Sequence, residues 1–236
     1  MNSVIEQNSL KFRAMNLGSN LPGVFGLWFY KKVKPQFSAV AANEFDLALA
    51  KLGPDDICLD LGANIGEFTQ KLAATGAKVH SFEPDPNTFE MLEESTGNLS
   101  NVVLHPKAIG ATTGSVQLLR AKNYDRNPKS KSLGSSVVRK SRFSMDPENS
   151  VDVEQVNFFD FVASLPKSPA LIKMDIEGAE WPILEALCQK NSPKPFGALF
   201  VETHERFNSW RLMPKLNRLR RFTAANPDPM INLYWH

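Results

Sequence analysis

The sequence is poor in the features that mark several protein classes. Only two of its 236 residues are cysteine, Cys58 and Cys188. Both lie inside apolar runs without CxxC or Cys/His ligand spacing, so neither a disulfide framework nor a zinc site is expected, and both read as buried thiols. Long apolar runs are also missing. The stretch from Val24 to Tyr30 falls far short of the about 20 residues a membrane helix needs. No small-residue cleavage site accompanies it, so neither integral membrane association nor a signal peptide is expected, and a cytoplasmic location is the default. Charge of one sign is lacking too: a formal net charge of +2 does not supply the concentrated basic face that nucleic-acid binding requires. No internal repeat is visible, and no signal for an oligomeric state. What remains is ordinary globular composition, 42% apolar and 22% charged, in a chain long enough for one good core.

The chain divides into an N-terminal extension, residues 1–40, and a main domain, residues 41–236. The extension carries Trp28, Phe29 and Tyr30 followed by Lys31, Lys32 and Lys34; it is expected to dock its aromatics on the main domain, to cover a substrate pocket or to contact a membrane surface. Apolar spacing from Val40 to Leu52 predicts an amphipathic helix ended by Gly53-Pro54. Strands follow at Ile57 to Leu61, Lys78 to Phe82 and Val102 to His105, with helical patterns at Ile65 to Thr75 and Asp85 to Thr96 between them. Strand and helix alternating at this spacing predict an α/β fold with a mostly parallel central sheet, right-handed crossovers and helices on both faces.

A polar insertion at about 120–150 breaks the rhythm. It holds eight Lys/Arg and three Asp/Glu between strands at Ser115 to Leu119 and Val151 to Val156, and such stretches are lids or disordered segments. The alternation then resumes with a strand from Leu171 to Asp175, a helix from Ala179 to Leu187 and a strand from Ala198 to Glu202. A helix carrying Leu212, Leu216 and Leu219 on one face and Arg211, Lys215, Arg218, Arg220 and Arg221 around it leads to a terminal strand, Ile231 to Trp235.

The segment Asp60-Leu61-Gly62-Ala63-Asn64-Ile65-Gly66 lies where a strand opens into a helix. Glycines there let a backbone approach a ligand closely, and the helix start offers unpaired N–H groups. Asp60 stands where a dinucleotide-binding loop has its first glycine. A carboxylate at that point repels a pyrophosphate and attracts the ammonium of the methionine moiety of S-adenosylmethionine. Glu83, 21 positions after Gly62, ends the second strand and suits a carboxylate accepting from two ribose hydroxyls. The adenine edge is expected against Lys107, Ala108 and Ile109. Asp60, Gly62, Ala63, Asn64, Gly66, Glu83 and Ala108 are therefore the expected cofactor set.

Two more strand ends carry polar clusters, Lys173-Met174-Asp175-Ile176-Glu177-Gly178-Ala179-Glu180 and Glu202-Thr203-His204-Glu205. Ligands of open α/β sheets bind beyond the carboxyl ends of the strands, so Asp175, Glu177, Glu202 and His204 should share a crevice with Gly62. Displacement of a methyl from a sulfonium needs alignment, and a hydroxyl acceptor also benefits from a base, for which His204 has the most suitable ordinary pKa. Lys173 is expected to neutralise a neighbouring carboxylate or to join the catalytic set. Glu180 reads as a first-turn helix acid. The oxygen-rich set could hold Mg²⁺, but nothing in the spacing requires a metal and none is assigned.

With these residues in view, the chain resembles the FkbM-type methyltransferase family. The resemblance rests on the segment from Asp60 to Gly66, Phe82-Glu83-Pro84, the Ala108-Ile109-Gly110 turn, Ser135-Ser136, the segment from Lys173 to Glu180, and Glu202-Thr203-His204, and it covers roughly residues 55–205. It implies a Rossmann-like class I methyltransferase fold, S-adenosyl-L-methionine as donor, and O-methylation of a hydroxyl on a sugar, glycan or secondary metabolite. On that pattern Asp175, Glu177 and His204 lie near the reacting methyl, and Ser135 and Ser136 are expected to meet the small-molecule or glycan acceptor. The Arg-rich helix would suit an acidic or phosphorylated acceptor. A nucleic-acid acceptor and a non-catalytic cofactor-binding scaffold are the competing alternatives. The sequence departs from the usual fold at its end, where there is room for one terminal strand and no closing hairpin.

Overall fold

A computed structural model describes residues 10–121, 145–189 and 192–235. Ser135 and Ser136, like most of the polar insertion, lie outside the described residues. Within them, α1 (Leu10–Gly18), α2 (Gly23–Leu49), β1 (Ile57–Leu61), α3 (Glu67–Ala73), β2 (Lys78–Phe82), α4 (Pro86–Thr96) and β3 (Val102–His105) lead to a smaller β unit, β4 (Ala108–Gly110), β5 (Gly114–Ala121) and β6 (Met145–Asn157). The chain continues through α5 (Phe158–Ser164), β7 (Leu171–Met174), α6 (Glu180–Leu187), β8 (Ala198–Val201), a single 3₁₀ turn (Glu205–Phe207), α7 (Ser209–Ala225) and β9 (Met230–Asn232).

Six strands form the central sheet in the order β3-β2-β1-β7-β8-β9, and every neighbouring pair is parallel. This is the Rossmann-like α/β arrangement that the alternation predicts. The strands at its centre are buried along their whole length, β1, β7 and β8 without exception, as a sheet covered on both faces requires. Order reverses between β1 and β7, and beyond their carboxyl ends lies the crevice where such sheets take ligands.

The elements differ from expectation in three places. The helix predicted from Val40 begins at Gly23 and runs unbroken across position 40. Its inward face includes Gly23, Gly26, Tyr30 and Val33, spaced for one side of a helix, but half of that stripe is glycine and gives no apolar signal. Tyr30 and Val33 have no exposed surface and join the core that also contains Leu59, Phe82, Leu184 and Leu216. Ala108–Gly110 is not a turn but a strand: it pairs in parallel with Gln155–Asn157 of β6, and Ala108 packs against Leu118 and Val153. The terminal strand, expected from Ile231 to Trp235, spans Met230–Asn232 and lies parallel against β8 at the sheet edge.

Asp85 ties the two β units together. It caps α4 by accepting from the N–H groups of Asn87 (3.0 Å) and Thr88 (3.4 Å), and Arg120 of β5 donates to both of its oxygens at 2.8 and 3.0 Å. Such a bidentate, nearly buried pair fixes direction as well as distance, and it anchors the turn that begins with Glu83. Among the described residues, no helix is long and apolar enough to cross a membrane.

Candidate active site

Three parallel strands end side by side, and their hydrogen-bond ladder continues past their last residues. The N–H of Asp175 donates to Leu61 O (2.9 Å), that of Glu202 to Met174 O (2.9 Å), and those of Gly62 and Ala63 to Phe82 O (3.0 and 2.9 Å). The turns that follow β1, β7 and β8 are therefore held in register by the sheet itself. Gly62 adopts φ +80°, and a Cβ built there would lie 1.8 Å from the carbonyl oxygen of Asp175. The glycine is thus required twice, by conformation and by contact with the next strand end. Gly62→Ala is expected to cost about 1–2 kcal/mol from the left-handed backbone alone, and more from the clash; denaturant unfolding measures it.

Below the turn lies a buried polar network. Asp60 and Lys173 face each other across β1 and β7, with Asp60 Oδ1 3.2 Å from Lys173 Nζ and both side chains almost wholly buried. Asp60 Oδ2 accepts from Thr69 Oγ1 at 2.8 Å, and Thr69 shares a hydrogen bond with Ser81. Lys173 also donates to Gly62 O at 2.6 Å, so one ammonium joins the carboxylate to the glycine turn. Burial by itself would lower the pKa of Lys173, but the charges of Asp60, Asp175 and Glu83 outweigh it and hold the ammonium above its ordinary range. Lys173 is charged and structural in position, and Asp60 lies beneath the turn.

Glu83 closes the far side. Its two oxygens accept from the N–H of Asn64 (3.0 Å) and of Asp85 (3.0 Å), and Asn64 itself has φ 51°. Burial pushes the Glu83 carboxyl up to about 7, against the opposing pull of those two N–H groups and of Lys173. Each oxygen accepts one N–H and keeps a further lone pair for another donor.

At the other side of the crevice His204 is the centre. Its ring has 1% of its surface exposed, with Nδ1 3.0 Å from Glu180 Oε1, and Nε2 3.3 Å from Glu177 Oε2, 3.6 Å from Asp175 Oδ1 and 3.9 Å from Glu202 Oε1. Burial opposes a charge on the ring, yet the hydrogen bond it donates to Glu180 and the charges of Glu180, Glu177 and Asp175 raise its pKa above the ordinary value. Glu180 has no exposed surface and accepts also from the N–H groups of His204 (2.9 Å) and Gly178 (2.7 Å). Far from being a plain first-turn acid, it is a buried carboxylate that orients the imidazole. Its spacing carried a signal: Glu180 shares a helix face with Ile183, Leu184 and Leu187, all fully buried.

The four residues Asp175, Glu177, Glu202 and His204 are brought together, and the contact of Gly62 with Asp175 joins them to the glycine turn. Ala108 stands apart in the small sheet, packed among apolar side chains. The basic residues of α7 are largely engaged elsewhere: Lys215 and Arg218 both pair with Glu185 at 3.0 and 3.1 Å, and Arg220 lies between the rings of Tyr30 and Tyr234, 4.1 and 4.8 Å from their centres.

A family model described as the methyltransferase FkbM domain matches residues 60–223. The hexuronic acid methyltransferase AglP of Haloferax volcanii is 26% identical over 160 residues, which cover 67% of this chain and 60% of that protein. Methyltransferase 1 of Beauveria bassiana is 30% identical over 153 residues, 57% of this chain and 59% of that protein. A shorter match of 55 residues, 40% identical and covering 23% of this chain and 21% of that protein, is to the ribosomal RNA small subunit methyltransferase A of Thermotoga neapolitana. The matches to the first two relatives thus span about 60% of those proteins' length.

Proposed function

The chain belongs to the FkbM methyltransferase family, and we propose that it transfers a methyl group from S-adenosylmethionine to a hydroxyl of a sugar or related polyhydroxyl acceptor. The observation that carries this reading is the direct contact between the Gly62 turn and the Asp175 strand end. It sets the glycine turn directly beside the cluster of Asp175, Glu177, Glu202 and His204. The residues present fit the cofactor: Gly62 lets the turn lie against the Asp175 strand end, and Glu83 keeps acceptor capacity for two ribose hydroxyls. Asp60 is wholly buried and paired with Lys173 at 3.2 Å, so it supports the cofactor turn from beneath, through the ammonium that donates to the carbonyl of Gly62. Bound S-adenosylmethionine supplies an electrophilic methyl whose bond to sulfur breaks as the acceptor oxygen attacks in line, the electron pair staying on sulfur.

The chain's own part is alignment and removal of the proton. Asp175, Glu177 and His204 form the wall that meets the acceptor hydroxyl, and Glu202 stands next to them at the rim, 3.6 Å from Arg206. A hexuronic acid methyltransferase among the relatives supports a sugar acceptor. Arg220, packed between the rings of Tyr30 and Tyr234, is withdrawn from any nucleic-acid backbone, which weighs on the same side. Calorimetric titration with S-adenosylmethionine, S-adenosylhomocysteine and NAD tests the cofactor, and a screen of uronic acids and neutral sugars with labelled donor tests the acceptor. Binding of both sulfur ligands and not of NAD is the expected result; NAD binding alone would sink the proposal.

Glu83 gives the cofactor step a pH dependence. Its carboxyl, raised to about 7 by burial, must be ionised to accept strongly from ribose hydroxyls, so affinity is expected to rise as pH increases through about 7 and to level off above it. Stability runs the other way. The folded carboxyl binds its proton more tightly than the unfolded one, so its contribution to stability is fully present below about 4.3, the ordinary glutamate value, and is lost as pH rises through about 7. Titrations of S-adenosylhomocysteine between pH 6 and 8 check the first expectation, with Glu83→Gln giving a flat profile.

A further inference from the structure

The start of α2 buries one side and holds the other, apolar side toward solvent. Gly23, Gly26, Tyr30 and Val33 face inward, whereas Val24, Phe25 and Trp28, on the other side of the same turns, are 54%, 67% and 53% exposed. Leu21, just before the helix, is exposed too. Trp210 of α7 completes the corner: it is 62% exposed, and a Cβ built on Gly23 would lie 2.6 Å from its indole. Single exposed apolar residues need no explanation, but five on one corner, three of them with large rings, mark a surface that something covers.

The charge beside it is of one sign. Residues 10–43 contain Lys11, Arg13, Lys31, Lys32 and Lys34 and neither Asp nor Glu. In chain order the next acid after Trp28 is Glu44, about 24 Å further along the helix. Lys31 and Lys32 are exposed one turn past Trp28. The ammonium of Lys32 lies 5.8 Å from the centre of the Trp28 ring, so its stem follows the apolar stripe while its charge stands at the edge. The corner also lies at the carboxyl edge of the sheet, because His204 follows β8 and α7, which carries Trp210, starts soon after at Ser209.

We infer that this corner binds the surface of an anionic lipid bilayer, with Val24, Phe25, Trp28 and Trp210 among the headgroups and Lys31 and Lys32 at the phosphates. Aromatic rings settle where an apolar interior meets a wet rim, and basic side chains beside them add attraction to anionic lipid. A second copy docked by the same face would bring two such basic surfaces together, with no acid in residues 10–43 to pair them. A nucleic acid would use the lysines and leave Val24 and Phe25 in water. Bound in this way, the chain holds the carboxyl edge of its sheet, and His204 with it, at the bilayer. The inference does not depend on the methyl-transfer proposal.

The test is flotation of the full chain with vesicles of equal phosphatidylserine and phosphatidylcholine, and with vesicles of phosphatidylcholine alone. Binding to the mixed vesicles is expected to exceed binding to the neutral ones and to fall as salt is raised. Lys31→Gln with Lys32→Gln is expected to weaken it about 30-fold, about 5-fold for each charge removed, and Phe25→Ser with Trp28→Ser at least about 10-fold. All four side chains are exposed, and circular dichroism verifies that each double variant keeps its fold. No binding to the mixed vesicles, equal binding to both kinds, or binding unchanged in Phe25→Ser with Trp28→Ser overturns the inference. Sedimentation without lipid covers the other occupants. A dimer that Phe25→Ser with Trp28→Ser dissociates overturns it in favour of a second copy, and a monomer that binds neither vesicle overturns it in favour of a protein partner.

Discussion

Asp175→Ala is expected to lower turnover by about 10²- to 10⁴-fold while S-adenosylhomocysteine affinity stays within a few-fold. The separation follows from how the residue is built in. Its backbone belongs to the sheet, through the N–H donated to Leu61 O and the carbonyl against Gly62, and alanine preserves both. Its side chain points instead to His204, 3.6 Å from Nε2, and Oδ1 is buried without a hydrogen-bond partner among the described residues. Only what the carboxylate does toward the acceptor is removed, and a group used in the transition state alone lowers kcat and kcat/KM together. Single-turnover transfer to the best acceptor found in the screen, beside calorimetry with S-adenosylhomocysteine, measures both sides. A parallel loss of affinity would move Asp175 from the reacting centre to the cofactor site.

The second large effect concerns stability. Asp60→Asn or Lys173→Met leaves one partner of a buried ion pair uncompensated, and each is expected to destabilise the fold by about 3–5 kcal/mol. The double variant is expected to recover most of that loss, because a buried pair removed as a whole takes its own desolvation cost with it. Lys173→Met should also loosen the Gly62 turn, whose carbonyl loses its 2.6 Å donor, and so weaken cofactor binding. Urea unfolding of the two single variants and the double variant gives the coupling directly. Single variants close to wild type in stability would mean that the pair contributes no more than a surface contact.

Much of the site was legible because it follows strand ends. Lys78–Phe82 and Val102–His105 occur as strands with the predicted limits, and the glycine turn, Glu83, Asp175 and Glu177 stand where alternation and chain polarity place them. Local pattern reached less far where a residue's partner is distant or its side chain is small. Gly23 and Gly26 hid the buried stripe that extends α2. Ala108 looked like part of a ligand loop because its strand has only three residues and pairs with β6, nearly 50 positions on. Glu180 looked like a helix-dipole acid because its partner, His204, is 24 residues away.

The sequence by itself determined the alternation of strands and helices, the parallel sheet and the row of polar residues at its carboxyl edge, because periodicity and breaker residues act over a few positions. The tertiary structure alone decided which of those polar groups touch. It paired Asp60 with Lys173 across two strands, and it turned one imidazole edge to Glu180 and the other to Asp175 and Glu177. Burial and Coulomb energy depend on distances in space, and these exist only after the three strand ends have been drawn side by side.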